Sequence, residues 1–142
     1  MRVLLDTDVV LDLILERQPF VGEAAMLWEL HQQNQLDVYL APITTINVFY
    51  ITRKIKGREA AQQAVAKLTQ GVFICPTDAQ VLRHALTLAF KDFEDATQHA
   101  AAELAGLDAI ITRNTIDYRF ATLPVHAPPD FLQRFFPSSS SE

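Results

Sequence analysis

The chain has little cysteine, little glycine and no long apolar run. One cysteine among 142 residues excludes an internal disulfide and fits a reducing cytoplasm. Four glycines, none of them in a Gly-rich loop, argue against a nucleotide site of the P-loop or Rossmann type. Because no stretch of about 18 apolar residues occurs, we expect no membrane-spanning segment. The apolar run at Val3–Leu5 is also too short for a signal peptide, so we expect a cytoplasmic protein.

Basic residues are outnumbered by acidic ones. The sequence has 12 Lys and Arg against 17 Asp and Glu, a formal net charge of −5. This balance argues against a non-specific duplex binder with a broad basic face, but it leaves room for an enzyme that meets nucleic acid through a local patch. Hydrophobic residues make up 49% of the chain, which excludes wholesale disorder. We expect one domain over residues 1–136 and a polar tail over residues 137–142.

Short apolar runs alternate with longer helical patterns along the chain. Runs typical of strands occupy residues 3–5, 38–40, 72–75 and 109–111, with a short fifth near Val125. Helical patterns occupy residues 9–16, 22–33, 43–56, 59–69, 78–90, 93–104 and 128–136. Strands separated by helices predict parallel pairing through right-handed crossovers. The pattern therefore predicts an α/β fold, a three-layer α/β/α sandwich around a central, mainly parallel sheet of four to five strands.

Acidic side chains lie where predicted strands end or a predicted helix begins. Asp6 directly follows the first strand, Asp92, Glu94 and Asp95 begin a later helix, and Asp117 follows the fourth strand beside Asn114. If the first and fourth strands are neighbours, these groups open on one edge of the sheet, where ligands bind in such folds. Crowded carboxylates repel one another unless a cation is present. The arrangement predicts a Mg²⁺ or Mn²⁺ site that activates water for attack on phosphorus.

Each acid also has an ordinary structural interpretation. Asp92 is a good helix N-cap, and an acid at Asp95 complements the helix dipole. Thr7 or Asp8 is available to cap the first helix, and Asp12 is most simply a solvated helix position. Asp6 is hardest to explain this way, because an acid directly after a buried strand is costly without a partner.

Three segments resemble the PIN-domain ribonucleases, the fold of the VapC-type toxins of toxin–antitoxin pairs. The first runs from Leu4 to Asp12 and is similar to the family's opening "LLDTNVLLD". The second, from Asp92 to Ala102, is similar to a "DFEDAIQ-AAA" helix start. The third, from Ile110 to Tyr118, is similar to "IVTRNxxDF". The order and spacing fit from about Arg2 to Phe131, nearly the whole chain.

The resemblance implies metal-dependent cleavage of RNA phosphodiesters by clustered acids. Asp6, Asp95 and Asp117 would be metal ligands, with Asp92 nearby. Asn114 occupies the position of an acid in many relatives, and the family's acid on the third helix falls near Asn47. These two amides would weaken metal binding or shift its pH range. The resemblance also implies a homodimer and a small antitoxin that inserts a basic or aromatic segment near the acidic pocket.

Basic residues concentrate at one place. Four of the 12 lie within six positions, namely Arg53, Lys54, Lys56 and Arg58. This segment is a candidate contact for an RNA backbone, or else a solvated helix end that complements the helix dipole. Arg113, beside the fourth strand, is a candidate for holding a phosphate or for pairing with the acids, and pairing is the simpler expectation.

Other side chains have structural interpretations. Trp28, Phe49, Tyr50 and the phenylalanines are candidates for partner interfaces, although aromatic residues mainly fill cores. Cys75 ends an apolar strand and is expected to pack inertly. The four histidines show no zinc-ligand spacing.

Two other functions remain open from the sequence. Residues Asp6–Val10 resemble the D-x-D-x-[TV] loop of haloacid-dehalogenase-like phosphatases, in which Asp6 would be the nucleophile and Asp8 the acid and base. No Lys falls convincingly where that family needs one, and the acids at Asp92–Asp95 are left unexplained. A PIN-like domain with Asn47 and Asn114 in place of acids is also a candidate for a module that only binds RNA or a protein.

Overall fold

A computed structural model describes residues 1–137, so residues 138–142 of the expected polar tail lie outside the described part. The strands are β1 (Arg2–Leu5), β2 (Asp37–Leu40), β3 (Phe73–Ile74), β4 (Ala109–Ile111) and β5 (Val125–His126). The α-helices are α1 (Thr7–Ile14), α2 (Val21–Gln32), α3 (Pro42–Lys56), α4 (Arg58–Gly71), α5 (Ala79–Ala85), α6 (Phe93–Leu104) and α7 (Pro128–Phe135). A 3₁₀ turn at Thr115–Tyr118 follows β4.

The five strands form one sheet in the order β3-β2-β1-β4-β5. Every neighbouring pair is parallel. In register, Leu4 pairs with Tyr39 on one side and with Ile110 on the other. The predicted fold class is therefore confirmed, with five strands. β1 and β4 are central neighbours, so the segments that follow them open at the same edge.

Both faces of the sheet are covered, as near-continuous apolar strands predict. Val3 and Leu5 pack with α1, α2, α4 and α7 into one buried cluster. Leu4, whose side chain points the opposite way, packs with α5 and α6 into a second cluster. The sheet thus lies between two helical layers.

Three local predictions differ from the structure. Asp6, and neither Thr7 nor Asp8, is the N-cap of α1, because its carboxylate turns back to accept the Thr7 amide at 2.7 Å. Helix α5 ends at Ala85, well before the predicted Phe90, and Phe90 instead packs against Tyr118. β3 comprises only Phe73–Ile74 of the predicted residues 72–75. Asp92 does cap α6, as the sequence suggested, and Asp78 caps α5.

The helices of residues 1–137 are all too short or too polar to cross a membrane.

Candidate active site

Asp6 lies at the carboxyl end of β1, in the middle of the sheet edge. Its side chain is only 4% exposed and is held by three donors. The Thr7 amide and Gln98 Nε2 donate to Oδ1 at 2.7 and 2.9 Å, and Thr112 Oγ1 donates to Oδ2 at 2.7 Å. These bonds come from α1, from α6 and from the residue after β4. They fix the carboxylate in one orientation and compensate its burial.

Gln98 is itself oriented by the fold. It is completely buried on α6, three residues after Asp95. Its Oε1 accepts from Thr44 Oγ1 at 3.2 Å, so its amide group presents Nε2 to Asp6. Sequence reasoning missed both Gln98 and Thr112. A signal was present, because a glutamine among the alanines of an otherwise apolar helix face needs a buried partner.

Asp95, in the first turn of α6, faces the other acids. Burial first, and then the charges of Asp6 and Asp92, raise its pKa to about 7 from an ordinary 3.8. Asp117 adds a smaller increase, and the Tyr118 hydroxyl, which donates to Oδ1 at 3.3 Å, lowers the pKa. The four predicted acids are therefore close enough to repel one another.

Asp92, Asp95 and Asp117 line a common cleft of about 220 Å³. Asp92 caps α6 by accepting the Asp95 amide at 3.0 Å. Asp117 is exposed in the 3₁₀ turn, where its amide donates to the carbonyl of exposed Asn114 at 3.0 Å. The remaining lining residues are Lys91, Arg119 and Phe120. The cleft thus combines three carboxylates with two cationic side chains at its walls.

Asn47 on α3 brings an unexpected acid into the site. Its Nδ2 donates to Glu94 Oε1 at 2.8 Å. Thr7 Oγ1, in the residue after Asp6, lies 3.4 Å from Glu94 Oε2. Glu94 is half-buried, so a carboxylate from α6 stands beside the amide where the family resemblance implies an acid on α3. The sequence places Glu94 among the helix-start acids, but nothing in it shows that the side chain reaches α3.

Asp12 is not the solvated helix residue that the sequence suggests. It is 1% exposed, and it pairs with Arg17 at 2.9 Å and with Arg113 at 2.7 Å. The prediction was wrong because the partners lie 5 and 101 residues away. The expected pairing of Arg113 with an acid is confirmed. Its guanidinium is bonded twice to Asp12 and packs 3.9 Å from the ring centre of Phe20.

Asp8 contacts the backbone of Arg113, one of the partners in this ion pair. Its Oδ2 accepts the Arg113 amide at 3.1 Å, while its Oδ1 is buried without a hydrogen-bond partner among the described residues. Burial first, and then the charge of Asp6, raise its pKa to about 6. The side chain thus adds a negative charge near Asp6 that its hydrogen bond to Arg113 compensates only in part.

The basic segment lies at the surface, and the aromatic residues are divided between the surface and the core. Arg53, Lys54, Lys56 and Arg58 are exposed at the α3–α4 junction. Because α3 rises about 1.5 Å per residue, Arg53 lies roughly 9 Å along the helix from Asn47. Tyr50 is 60% exposed and Phe49 is half-buried, so the expectation of a core role was wrong for Tyr50. Trp28 packs partly against the core, and Cys75 is buried in it.

The donor set suits a hard divalent cation. Every acid at the cleft offers carboxylate oxygens, the ligands that Mg²⁺ and Mn²⁺ prefer. The raised pKa of Asp95 and the unpartnered Oδ1 of Asp8 are signs of negative charge that lacks a counter-ion. Within residues 1–137, no three His, Cys, Asp or Glu side chains already stand close enough to enclose an ion. The acids therefore surround an open cleft.

Comparison with known proteins identifies the family of the fold. A family model described as the PIN domain matches residues 2–116, most of the chain. The chain belongs to the PIN-domain family. No curated protein matches the sequence significantly.

Solved structures with the PIN fold superpose over almost their full length. VapBC2 from Rickettsia felis, bound to a promoter DNA fragment, matches with a TM-score of 0.67 and 15% identity, over 88% of this chain and 97% of that one. Mycobacterium tuberculosis VapC20, described as a toxin that cleaves the sarcin–ricin loop, matches with a TM-score of 0.66 and 18% identity, over 85% of this chain and 98% of that one. A toxin–antitoxin complex from Klebsiella pneumoniae matches with a TM-score of 0.66 and 24% identity, over 89% of this chain and 97% of that one. At these identities the similarity establishes the fold.

Proposed function

We propose that this PIN domain is a divalent-metal-dependent endoribonuclease and the toxin of a toxin–antitoxin pair. The observation that carries the proposal is the gathering of Asp6, Asp92, Asp95 and Asp117 at the carboxyl edge of the sheet, where burial, and then the charges of the other acids, raise the pKa of Asp95. The fold alone does not require such crowding, because each acid could be accommodated separately. A site that binds Mg²⁺ or Mn²⁺ does require it.

The residues that would hold the ion are Asp6, Asp95 and Asp117, with Asp92 beside them. Mg²⁺ or Mn²⁺, when bound, supplies an activated water and neutralises charge on the phosphate. Asp6 is held rigid by Gln98 and Thr112, so its free lone pairs keep a constant direction. Tyr118 restrains Asp95. Asp117 and Asn114 are exposed, so both are accessible to a phosphodiester.

Glu94 supplies the carboxylate that α3 lacks. Asn47 and the Thr7 hydroxyl flank its two oxygens at 2.8 and 3.4 Å and direct the side chain towards the Asp6 end of the sheet. The site would then regain the acid that α3 lacks, contributed by a different helix, while Asn114 stays an amide. Asn47 acts by orienting Glu94.

RNA would reach the cleft along cationic side chains. Lys91 and Arg119 line the cleft itself, and Arg53, Lys54, Lys56 and Arg58 offer further phosphate contacts beyond Asn47 on α3. Arg113 was a candidate for substrate binding, but its bonds to Asp12 favour a role in holding the segment after β4.

The toxin proposal extends to partners and location. Two of the similar structures are toxin–antitoxin complexes, so we propose that a small antitoxin binds this chain and that the active form is a homodimer. An acidic cleft is complementary to a basic segment of such an antitoxin. The substrate and the single cysteine both favour the cytoplasm as the place of action.

The test is cleavage of a pool of structured and single-stranded RNA in Mn²⁺, in EDTA, and by variants. Wild-type protein should cut RNA in Mn²⁺ but not in EDTA. Asp6→Asn and Asp95→Ala should each lose cleavage, by about a hundredfold or more, while keeping the fold. Asp130→Asn, an exposed acid on α7, is the matched control and should cut like wild type.

The other outcomes separate the alternatives. Full activity of Asp6→Asn would contradict the proposal. RNA that is bound but not cut in any metal would favour the binding module. Failure to bind RNA, together with hydrolysis of small phosphate esters that depends on Asp6, would favour the phosphatase.

A further inference from the structure

The acidic cleft has two walls from distant parts of the sequence. One is the start of α6, which contributes Asp92 and Asp95, and the other is the segment after β4, which contributes Asp117, Arg119 and Phe120. This second wall contains only a 3₁₀ turn and a loop before β5. The contacts that join this wall to α6 therefore help to set the separation of Asp95 and Asp117.

Tyr118 makes one of these contacts, through its hydroxyl bond to Asp95, and His99 makes another further along the loop. His99 lies on α6 one turn after Asp95 and is completely buried. Its Nε2 accepts the Thr122 amide at 3.0 Å, and the Leu123 amide lies 3.4 Å away. A ring nitrogen that accepts an amide hydrogen carries no proton of its own, so His99 is neutral and its proton is on Nδ1. Burial lowers the pKa of His99, which favours the same neutral form.

The other ring nitrogen shows why an imidazole is unexpected here. Nδ1 is buried and has no hydrogen-bond partner in the described part of the chain. A buried donor without an acceptor destabilises the fold, and leucine would fill the space without this penalty. What distinguishes the histidine from an apolar residue is its acceptor nitrogen, which holds the Thr122 amide.

The surroundings strengthen the same junction. The Thr122 hydroxyl donates to Glu103 on α6, and Glu103 also contacts His84 on α5. Phe90 packs against the rings of both His99 and Tyr118, at 5.3 and 5.5 Å. Thr122 is thus held by its backbone and by its side chain, and the loop is tied to α6 within a few residues of Asp117.

We propose that His99 is a positioning residue that holds the Arg119–Leu123 loop against α6 and thereby sets the spacing of Asp95 and Asp117 for cleavage. This inference rests on the proposed ribonuclease function. His99 touches neither substrate nor acid, and it acts through the Thr122 amide.

His31 provides a matched comparison within the chain. Its Nδ1 accepts the Val38 amide at 2.9 Å, so it makes the same kind of bond between a helix and a backbone amide. That bond joins α2 to β2 and touches none of the cleft residues. Loss of either histidine removes a similar interaction, but only His99 should affect the cleft.

The first measurement is amide hydrogen exchange in His99→Leu, His99→Gln and His31→Leu, each compared with wild type. The Thr122 amide should exchange about tenfold or more faster in His99→Leu, because its acceptor is gone. In His99→Gln the side-chain carbonyl replaces Nε2, so exchange at Thr122 should return towards the wild-type rate. His31→Leu should leave Thr122 unchanged and affect Val38.

The second measurement is steady-state cleavage, in Mn²⁺, of a single-stranded RNA oligonucleotide that wild type cuts. In His99→Leu, kcat should fall by about tenfold to a hundredfold with KM little changed, since displaced acids impair the transition state more than binding. His99→Gln should recover most of kcat, and His31→Leu should keep wild-type kcat. A general loss of stability would instead lower kcat in both His99→Leu and His31→Leu.

Two results would overturn the proposal: a Thr122 amide in His99→Leu that exchanges as in wild type, or a kcat that falls equally in His31→Leu. Faster exchange at Thr122 with an unchanged kcat would also overturn it. If wild type cuts no RNA, the proposed ribonuclease function fails instead. Exchange at Thr122 and calorimetric Mn²⁺ binding by His99→Leu would then decide whether His99 still shapes the cleft.

Discussion

At the scale of single residues, Asp95 is the acid whose ionisation conflicts most with the fold. Its pKa is raised to about 7 from 3.8, chiefly by burial and by Asp6. When a carboxyl group has a higher pKa in the folded protein than in the unfolded chain, its full contribution to stability is present only at a pH below the pKa of the unfolded chain. That contribution is lost as the pH rises through the folded value. Metal-free protein should therefore lose stability between about pH 4 and pH 7.

The first prediction follows from the upward direction of this pKa shift. Asp95→Asn cannot ionise, so in EDTA at pH 8 it should be more stable than wild type by about 1 kcal/mol, after allowance for the solvent screening of a half-buried group. That is roughly 3–5 °C in Tm, and the difference should shrink towards pH 4. Calorimetry across this range checks it, with the exposed Glu29→Gln as control. A lower Tm for Asp95→Asn at pH 8 would contradict the prediction.

The second prediction concerns Glu94 and its neighbour on α3. Glu94→Gln removes the carboxylate held by Asn47, and we expect Mn²⁺ affinity to fall by about tenfold. Adding Asn47→Asp to this variant returns the charge to α3 and should recover much of the affinity. Titration calorimetry with Mn²⁺ measures both without relying on RNA cleavage. Unaltered affinity in Glu94→Gln would show that this carboxylate is not part of the site.

The acids show what sequence can and cannot predict at this scale. The placement of Asp6, Asp95 and Asp117 at one edge could be predicted, because each follows a strand or begins a helix and the parallel topology then brings those points together. Gln98, Glu94 and His99 could not be assigned, because their partners lie 92, 47 and 23 residues away and depend on how α6 packs.

At the scale of elements, the helices and strands followed from local patterns, and the errors came from contacts between elements. Residues 86–90 continue the apolar pattern of α5, yet the helix ends at Ala85. Phe90 instead packs against the rings of His99 and Tyr118, beside the acidic cleft. Asp6 similarly caps α1 because the strand before it places the carboxylate over the first turn.

The third prediction concerns the junction between α1 and the segment after β4. Asp12→Ala would leave Arg17 and Arg113, both partly buried, without their shared partner. We expect a loss of about 3 kcal/mol in the free energy of unfolding, as for other broken buried ion pairs. Urea unfolding measures it, with the exposed Asp130→Ala as control. A loss equal to that of the control would mean that the ion pair adds nothing.

At the scale of the whole molecule, a chain with a net charge of −5 must bind a polyanion. The acidic cleft repels RNA until a cation neutralises it, so binding should rely on the few local clusters of positive charge. The exposed cluster at the α3–α4 junction, Arg53, Lys54, Lys56 and Arg58, lies along α3 from Asn47 at the site. Its distance from the acids means that it can contact phosphates only beyond the scissile one.

The fourth prediction uses that separation. Replacing these four residues with alanine should raise KM while leaving kcat close to wild type, because they bind ground state and transition state alike. For every phosphate that the variant no longer binds, the dependence of log KM on log salt should also fall by about 0.7 for single-stranded RNA. Replacing Lys67, Arg83 and Arg134, three exposed residues away from this junction, with alanine controls for most of the change in net charge. Equal effects of the two sets would mean that overall charge, and not this surface, attracts RNA. A fall in kcat would place the cluster at the cleft itself, since only groups near the reacting phosphate act on the transition state alone.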